Sequence, residues 1–218
     1  MASQRVIVVD DHPLFREAVR QALAAAFPGI SIAEAGTLDA VSEILAQDSD
    51  YDLVLLDLKM PGVQGFSGLV YLRAEYPSVP IAVVSASEEA HLMRRAIELG
   101  ASGYIPKSSS AETMKRAIAA VLNGDIWLPE DAAARSGSDN EVDQLARKLT
   151  TLTPQQIRVL MMLREGLLNK QIAYQLKVSE ATVKAHVSAI LQKLEVDSRT
   201  QAVIAASRID GEAVPNAS

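Results

Sequence analysis

Residues 51–62 read YDLVLLDLKMPG, and this stretch decides the fold of the first part of the chain. The apolar run 54–56 ends abruptly in the carboxylate of Asp57, and residues 60–62 then favour a turn over a continued strand. A continuous apolar run is typical of a strand that is buried on both faces of a parallel sheet. Because ligands of open α/β sheets bind at the carboxyl ends of the strands, Asp57 is predicted to stand at a functional site. Taken alone, a turn-initiating aspartate is the plainer alternative.

The same alternation of strand and helix patterns continues on both sides of this stretch. Apolar strand-like runs lie at residues 6–9, 30–33, 53–56, 81–84 and 103–105. Segments with helical spacing follow them, around residues 14–23, 40–46, 65–75, 88–99 and 110–122. This order predicts an α/β fold, with right-handed crossovers and a five-stranded parallel sheet covered on both faces. A flavodoxin-like strand order, 2-1-3-4-5, is the arrangement we expect.

Polar residues follow or end four of these runs. Asp10 and Asp11 follow the first run, Asp57 ends the third, Ser85 follows the fourth, and Lys107 follows the fifth. In the order 2-1-3-4-5 the first and third strands are neighbours, so the three aspartates would share one acidic pocket. Three carboxylates repel one another, and their oxygen atoms suit Mg²⁺. Taken one at a time, the Asp10-Asp11 pair could be a helix N-cap, Ser85 a loop hydroxyl and Lys107 a surface lysine. Only their joint placement at the strand ends favours a functional site.

The composition is that of an ordinary globular protein with space for one large or two modest domains. The chain has 218 residues, of which 49% are hydrophobic and 22% are charged. It has no cysteine, which excludes disulfides, thiolate metal sites and a cysteine nucleophile. The run 6–9 is too short for a signal peptide, and no run approaches the roughly 18 apolar residues of a membrane span. A soluble, cytoplasmic protein without membrane contacts is therefore expected.

The net charge of −6 is divided unequally along the chain. Residues 1–145 hold 11 Lys+Arg against 21 Asp+Glu, a net of −10, and residues 146–218 hold 10 against 6, a net of +4. This asymmetry predicts two domains with different partners, and nucleic acid is a candidate for the basic one. We place a first domain at 1–124, an exposed linker with short helices near 131–135 and 141–148 at 125–149, a second domain at 150–210, and a flexible tail at 211–218.

The second domain shows four helical segments, which indicates an all-α fold. Thr153, Ser179 and Ser198 are predicted N-caps, and the segments at 169–176 and 180–194 are separated by a three-residue turn, as in a helix-turn-helix. On the segment 180–194 one side is apolar, and the other is small or polar. A helix that enters the major groove needs such short and polar side chains. The alternative is an ordinary amphipathic helix with a solvated face.

Residues 5–122 resemble the receiver domain of a two-component response regulator, which has a CheY-like fold. The motifs that carry the resemblance are VVDDHP, LLDLKMPG, VVSAS and GASGYIPK. The resemblance implies that Asp57 accepts a phosphoryl group from a sensor histidine kinase. It also implies that Mg²⁺ is bound by Asp11, Asp57 and the backbone carbonyl of Lys59, with Asp10 assisting through water.

The resemblance further assigns residues around the phosphoryl group. Lys107 would pair with the phosphoryl oxygens, and Ser85 would donate its hydroxyl to them. Tyr104 matches the aromatic position that changes rotamer on activation, and Ser87 is a candidate for tuning the lifetime of the phosphoryl group. The only chemistry implied is self-directed: Mg²⁺-dependent transfer to Asp57 and autodephosphorylation.

Residues 166–203, GLLNKQIAYQLKVSEATVKAHVSAILQKLEVDSRTQAV, resemble the LuxR-type helix-turn-helix. The two domains in this order resemble a NarL/FixJ-type response regulator. The implied DNA contacts are base edges for Lys184 and Ala185, with Ser188 alongside, and the DNA backbone for Lys170, Thr182 and Lys193. The implied partners are promoter DNA and a second copy of the phosphorylated chain, and RNA polymerase is a further candidate.

This sequence departs from the LuxR-type pattern at two places. Gln155-Gln156 stands where the family usually has an Arg-Glu pair, so a structural ion pair is in question. Ser188 is often a lysine in relatives, so the base preference or the phosphate affinity is expected to differ.

Two other interpretations compete with a phosphorylation-switched regulator. A haloacid-dehalogenase-type phosphatase also works through an aspartyl phosphate, but it uses a second carboxylate two residues after the nucleophile. Lys59 occupies that position and cannot act as the acid or base. A regulator that works without phosphorylation is disfavoured because every acidic-site position is intact.

Overall fold

A five-stranded parallel sheet forms the first domain in the computed structural model, which describes residues 4–61, 63–133 and 140–210. The strands along the chain are β1 (Arg5–Val9), β2 (Ser31–Ala35), β3 (Leu53–Asp57), β4 (Lys59–Met60), β5 (Val63–Gln64), β6 (Ile81–Ser85) and β7 (Gly103–Pro106). The order across the sheet is β2-β1-β3-β6-β7, which confirms the predicted flavodoxin-like order. Asp57 is the last residue of β3, as the opening stretch predicted.

Helices cover both faces of this sheet because the central strands are apolar on both sides. The helices are α1 (Pro13–Ala26), α2 (Leu38–Gln47), α3 (Ser67–Glu75), α4 (Ala90–Glu98) and α5 (Ala111–Leu122). Alternate residues of β1 and β3 enter two separate cores. Val8 and Leu55 pack in the core that includes α1 and α5, whereas Val9 and Leu56 pack in the core that includes α2, α3 and α4.

A small antiparallel hairpin follows Asp57, where the sequence predicted only a turn. Lys59 pairs with Gln64 and Met60 pairs with Val63, and Gly65 then adopts a φ of +57°. Phe66, which is buried, leads directly into α3. The hairpin therefore connects the end of the central strand to the start of a core helix.

The segment expected as an exposed linker is partly covered. It contains α6 (Glu130–Ala133) and α7 (Asn140–Leu149), close to the two short helices that the sequence predicted. The end of the first predicted helix, 134–135, lies outside the described residues. Ala132, Ala146 and Leu149 are buried because α6 and α7 pack against α4. Amphipathic packing against the first domain thus replaces solvent exposure at these positions.

The second domain is helical, as predicted. Its helices are α8 (Pro154–Arg164), α9 (Asn169–Leu176), α10 (Glu180–Leu194) and α11 (Arg199–Ile209). The side chains of the predicted caps Thr153, Ser179 and Ser198 each accept a hydrogen bond from the backbone N–H three residues later. Lys177 ends α9 in the left-handed conformation, with a φ of 54°, and produces the tight turn before α10. The expected tail at 211–218 lies outside the described residues.

The two domains contact each other directly through α3 and α8. At the margin of this contact Arg158 forms an ion pair with Asp39, and its guanidinium lies 5.4 Å from the centre of the Tyr71 ring. Among the helices in the described part of the chain, none has the length and apolar character needed to cross a membrane.

Candidate functional site

Asp57 lies at the buried carboxyl end of the central strand, beside the end of β1. Leu56 pairs with Val9, so Asp57, which ends β3, and Asp10, which follows β1, are brought to the same edge of the sheet. Asp10 and Asp57 are 1% and 2% exposed, respectively. Two carboxylates are therefore held next to each other with little access to water, as the strand order predicted.

An acidic cluster forms around this pair. Asp10, Asp11, His12 and Asp57 each offer one ligand atom, and these atoms all lie within 4.8 Å of one another. The three predicted aspartates are thus brought together. Oxygen ligands of this kind fit a hard divalent cation such as Mg²⁺. A buried group of carboxylates also needs positive charge.

His12 is a member of this cluster that the sequence reasoning did not select. Its Nδ1 lies 2.8 Å from Asp11 Oδ1 and 3.1 Å from Asp10 Oδ1. Its position directly after two acidic residues was the available signal. The histidine side chain is mostly exposed, so it lies at the outer edge of the cluster.

Lys107 lies between the two buried carboxylates. Its Nζ is 2.6 Å from Asp10 Oδ2 and 2.9 Å from Asp57 Oδ2, and it lies 4.6 Å from the centre of the Phe15 ring. Burial lowers the pKa of Lys107, but the hydrogen bonds to Asp10 and Asp57 outweigh it and leave the pKa raised. The lysine is therefore a fixed cation beside Asp57, in the place where the sequence predicted one.

The pKa of Asp57 is raised above its ordinary value, and burial is the main cause. The hydrogen bond and the charge of Lys107 lower it, the charge of Asp10 raises it, and the backbone N–H of Lys59 lowers it. Desolvation therefore outweighs the contribution of the single lysine. A carboxylate with a raised pKa is a more basic, and hence stronger, nucleophile, and a divalent cation would offset its charge.

Ser85 and Tyr104 lie next to each other on the other side of Asp57. Ser85 is buried at the end of β6, and its Oγ accepts a hydrogen bond from the N–H of Ser87 at 3.3 Å. Tyr104 on β7 is fully buried, and its hydroxyl donates to the carbonyl of Ser87 at 2.9 Å. Burial also raises the pKa of Tyr104. The Tyr104 ring therefore lies inside the receiver domain, beside the loop that follows Ser85.

A cavity of about 540 Å³ opens from the acidic cluster and provides space for a phosphoryl group. Its lining includes Asp11, Lys59 and Ser85, which the sequence predicted at this site. It also includes Asp210 from the end of the second domain, which the sequence reasoning missed. The signal for Asp210 is weak, since it lies 144 residues from its contact at Phe66.

A second candidate surface lies on α10. Val183 and Ile190 are buried, whereas the predicted contact residues Thr182, Lys184, Ala185 and Ser188 are exposed. Lys170 on α9 is exposed as well. Lys184 Nζ lies 3.4 Å from Glu180 Oε1, one helical turn away on the surface. These five residues are available to a ligand in the structure.

Lys193 differs from the other predicted DNA contacts. It is half-buried, and its Nζ donates to the carbonyl of Thr151 at 2.7 Å and to Gln156 Oε1 at 2.9 Å. The lysine thus joins the end of α10 to the start of α8. Gln156 also forms a capping box with Thr153. Where the LuxR-type pattern led us to question an ion pair, this chain has a hydrogen bond between a lysine and a neutral amide.

Comparisons with known proteins agree with both parts of the chain. Residues 6–119 match the family described as response regulator receiver domain, and residues 150–206 match the bacterial regulatory proteins of the luxR family. The glycerol metabolism activator of Pseudomonas putida is 42% identical, with 94% of this chain and 96% of that protein covered. The nitrate/nitrite response regulator NarP of Escherichia coli is 37% identical, with 92% and 93% covered. A crystal structure of a LuxR family DNA-binding response regulator from Silicibacter pomeroyi is 36% identical, covers 59% of this chain and 98% of its own, and has a TM-score of 0.53.

Proposed function

Because the chain belongs to the response regulators, with a receiver domain followed by a LuxR-type DNA-binding domain, we propose that phosphorylation of Asp57 controls its binding to promoter DNA. The observation that carries this proposal is the position of Asp57. It is buried at a strand end, 2.9 Å from Lys107, in a cluster with Asp10 and Asp11. In this scheme residues 1–124 receive the signal, 125–149 connect the domains, and 150–210 read DNA.

The proposed chemistry is transfer of a phosphoryl group to a carboxylate oxygen. An Asp57 oxygen attacks the phosphorus of a phosphohistidine on a sensor kinase, the P–N bond breaks, and its electron pair returns to the imidazole. Lys107 then donates to the phosphoryl oxygens, and Ser85, which lines the same cavity, would contribute its hydroxyl. Asp10, Asp11, Asp57 and the Lys59 carbonyl would hold Mg²⁺, which supplies neutralisation of the charge on the transferred group.

The reaction directed at the protein itself is the only chemistry we propose. Hydrolysis of the acyl phosphate by water regenerates Asp57 and ends the signal. The position two residues after the nucleophile is the exposed Lys59, which supports this view over a phosphatase with a second carboxylate. Ser87, whose carbonyl accepts the hydrogen bond from Tyr104, is our candidate for setting the lifetime of the phosphoryl group.

The proposed output is binding of α10 in the major groove. Lys184 and Ala185 would contact base edges, with Ser188 alongside, while Lys170 and Thr182 would contact the DNA backbone. Lys193 would reach the backbone only by leaving its present partners, Thr151 and Gln156. Phosphorylation would promote a homodimer on two half-sites, where contact with RNA polymerase would follow.

Binding to DNA with and without a phosphoryl donor tests the proposal. The probe is a duplex that the wild-type protein selects from a randomised pool in the presence of Mg²⁺ and a small acyl phosphate. We expect the donor to raise the affinity of the wild type and to leave that of Asp57→Asn unchanged. The matched control is Asp125→Asn, which removes an exposed carboxylate and should respond like the wild type. An equal response of Asp57→Asn and the wild type would refute the proposal.

A further inference from the structure

The loop between β1 and α1 carries Asp10 and Asp11, two of the proposed Mg²⁺ ligands. The backbone N–H of Asp10 donates to the carbonyl of Ala35 at 3.1 Å, which continues the pairing of β1 with β2. In its side chain, Oδ1 accepts a hydrogen bond from the N–H of His12 at 2.9 Å, and Oδ2 faces Lys107. The Asp10 carbonyl is the group that these contacts leave to be held, and it belongs to the peptide that leads into Asp11.

Arg16 provides the donor for this carbonyl. It lies on the first turn of α1, and its Nη1 donates to the carbonyl oxygen of Asp10 at 2.6 Å. Side chains on a helix lean toward its N-terminus, so residue 16 is directed back at the loop before α1. Val9 is the last residue of β1 that pairs with a neighbouring strand, and a buried backbone carbonyl beyond the paired residues needs another donor.

Glu34 of β2 fixes the guanidinium of Arg16 on its other side. Oε2 of Glu34 accepts a hydrogen bond from Nε of Arg16 at 3.1 Å, and the arginine side chain is only 18% exposed. The N–H donors of a guanidinium lie in one rigid plane, so two partners on different nitrogens determine its orientation. Arg16 thus bridges β2 and the loop that contains Asp10 and Asp11.

Arg20 lies one turn later on α1 and has different partners. Its Nε and Nη2 donate to the two carboxylate oxygens of Glu17 at 2.7 and 2.6 Å, and its Nε also lies 4.0 Å from Oε1 of Glu34. Together with Gln21, it lowers the pKa of Glu17 to about 2. These contacts lie on α1 and β2 rather than on the loop, so Arg20 is a matched control for Arg16.

We propose that Arg16 is a positioning residue for the Mg²⁺ site, because it fixes the peptide between Asp10 and Asp11 and with it the directions of both carboxylates. This inference rests on the proposed function, since it needs the ion to bind at these aspartates. A loop that is already fixed loses less conformational freedom when the ion binds, so the affinity is higher. Arg16 acts only through the Asp10 carbonyl and contacts neither the ion nor the phosphoryl group.

Binding of Mg²⁺ to the full chain tests this role without phosphoryl transfer. Loss of a hydrogen bond that orients a metal-binding residue typically reduces the affinity about 10- to 100-fold. We therefore expect Arg16→Ala to raise the dissociation constant about tenfold, as measured by isothermal titration calorimetry with magnesium chloride. Arg20→Ala removes the same type of side chain from the same helix and should bind Mg²⁺ like the wild type. An unchanged dissociation constant in Arg16→Ala would overturn the positioning role.

Arg16→Lys separates the hydrogen bond to the loop from the packing of the side chain. Its ammonium can donate to the Asp10 carbonyl, but it lacks the planar fork that engages Glu34 at the same time. We expect an Mg²⁺ affinity between those of the wild type and Arg16→Ala, at equal helix content by circular dichroism. If Arg16→Lys bound Mg²⁺ no better than a folded Arg16→Ala, a donor at this carbonyl would not be the cause. Should Arg16→Ala not fold, a wild-type affinity in Arg16→Lys would contradict the inference.

Phosphorylation of Asp57 by a small acyl phosphate at increasing Mg²⁺ concentration separates positioning from a general defect. Intact-mass spectrometry measures the rate. Arg16→Ala should need about tenfold more Mg²⁺ to reach half of its maximal rate, but that maximal rate should equal the rate of the wild type. A lower maximal rate with an unchanged Mg²⁺ requirement would refute the role of Arg16.

The calorimetry also distinguishes this inference from the proposed function. If the wild type and Arg20→Ala fail to bind Mg²⁺, the metal site of the proposed function is refuted and the role of Arg16 with it. If the wild type and all three variants bind Mg²⁺ equally, only the role of Arg16 is refuted, and the metal site stands.

Discussion

Asp57 is energetically costly in the folded protein because burial opposes its charge. Its partner Lys107 is shared with Asp10, so one cation serves two buried carboxylates. The pKa of Asp57 is raised, mainly by burial. A carboxyl group whose pKa is higher in the folded than in the unfolded state contributes its full stability when the pH is below its pKa in the unfolded state. That contribution is lost as the pH rises through its pKa in the folded state.

Replacing this carboxylate is therefore expected to stabilise the protein at neutral pH. In the absence of Mg²⁺, Asp57→Asn should raise the free energy of unfolding at neutral pH, and the gain should shrink at acidic pH. Urea denaturation of the full chain at both pH values measures this difference. Mg²⁺ should then stabilise the wild type more than the variant, because the proposed Mg²⁺ site is the acidic cluster of the folded protein.

The control for this measurement is Asp125→Asn, which replaces an exposed carboxylate. It should change the free energy of unfolding by less than about 0.5 kcal/mol at either pH. A lower stability of Asp57→Asn than of the wild type at neutral pH would contradict the electrostatic argument.

Single residues were predictable where a strand end fixed their position. Asp10, Asp11, Asp57 and Lys107 follow or end buried apolar runs, so the strand order alone brings them together. The partners of Lys193 were not predictable, because helical spacing gives the direction of a side chain but not what it meets across the domain. The contact of Asp210 with Phe66 leaves no pattern in either local segment.

At the scale of elements, the sequence determined most strands and helices through apolar periodicity and caps. The segments predicted at 169–176 and 180–194 agree with α9 and α10 at both ends, because Ser179 caps one helix and Lys177 ends the other. The hairpin β4–β5 was missed because strands of two residues show no alternation. The packing of α7 on α4 depends on contact between the connecting segment and the first domain, which local periodicity does not encode.

Lys177 offers a test of the turn between α9 and α10. Its φ of 54° lies in the left-handed region, which is unfavourable for residues with a Cβ and free of this penalty for glycine. Relief of this conformation, which costs roughly 1–2 kcal/mol, outweighs the roughly 0.5–1 kcal/mol entropic cost of glycine, so Lys177→Gly should raise the free energy of unfolding by roughly 0.5–1 kcal/mol. Chemical denaturation of the full chain, followed in the transition of the helical domain, provides the measurement.

Lys177→Ala serves as the matched control for Lys177→Gly. It removes the same charge and the same long side chain but keeps the Cβ atom, so it should give no stabilisation. If Lys177→Gly and Lys177→Ala had the same stability, relief of the left-handed conformation would not be the cause.

At the scale of the whole molecule, the two parts of the chain have opposite net charges and different proposed roles. Residues 1–145 are acidic and contain the proposed phosphoacceptor site, whereas residues 146–218 have a net charge of +4 and contain the exposed face of α10. The acidic domain would repel DNA, so affinity must come from a few lysines on the basic domain. Binding that depends on phosphate contacts should therefore weaken strongly with salt.

The salt dependence of DNA binding can also count the subunits in the complex. Each neutralised phosphate contributes about −0.9 to the slope of log affinity against log salt concentration. Lys170→Ala should therefore reduce the magnitude of the slope by about 0.9 if one subunit binds and by about 1.8 if a dimer binds. Fluorescence anisotropy with a duplex that carries both half-sites, at a series of salt concentrations, measures the slope.

The control Lys115→Ala removes an exposed lysine of α5 in the receiver domain and should leave the slope unchanged. A reduction near 1.8 would support the proposed dimer, one near 0.9 would contradict it, and an unchanged slope would remove Lys170 from the DNA-binding face.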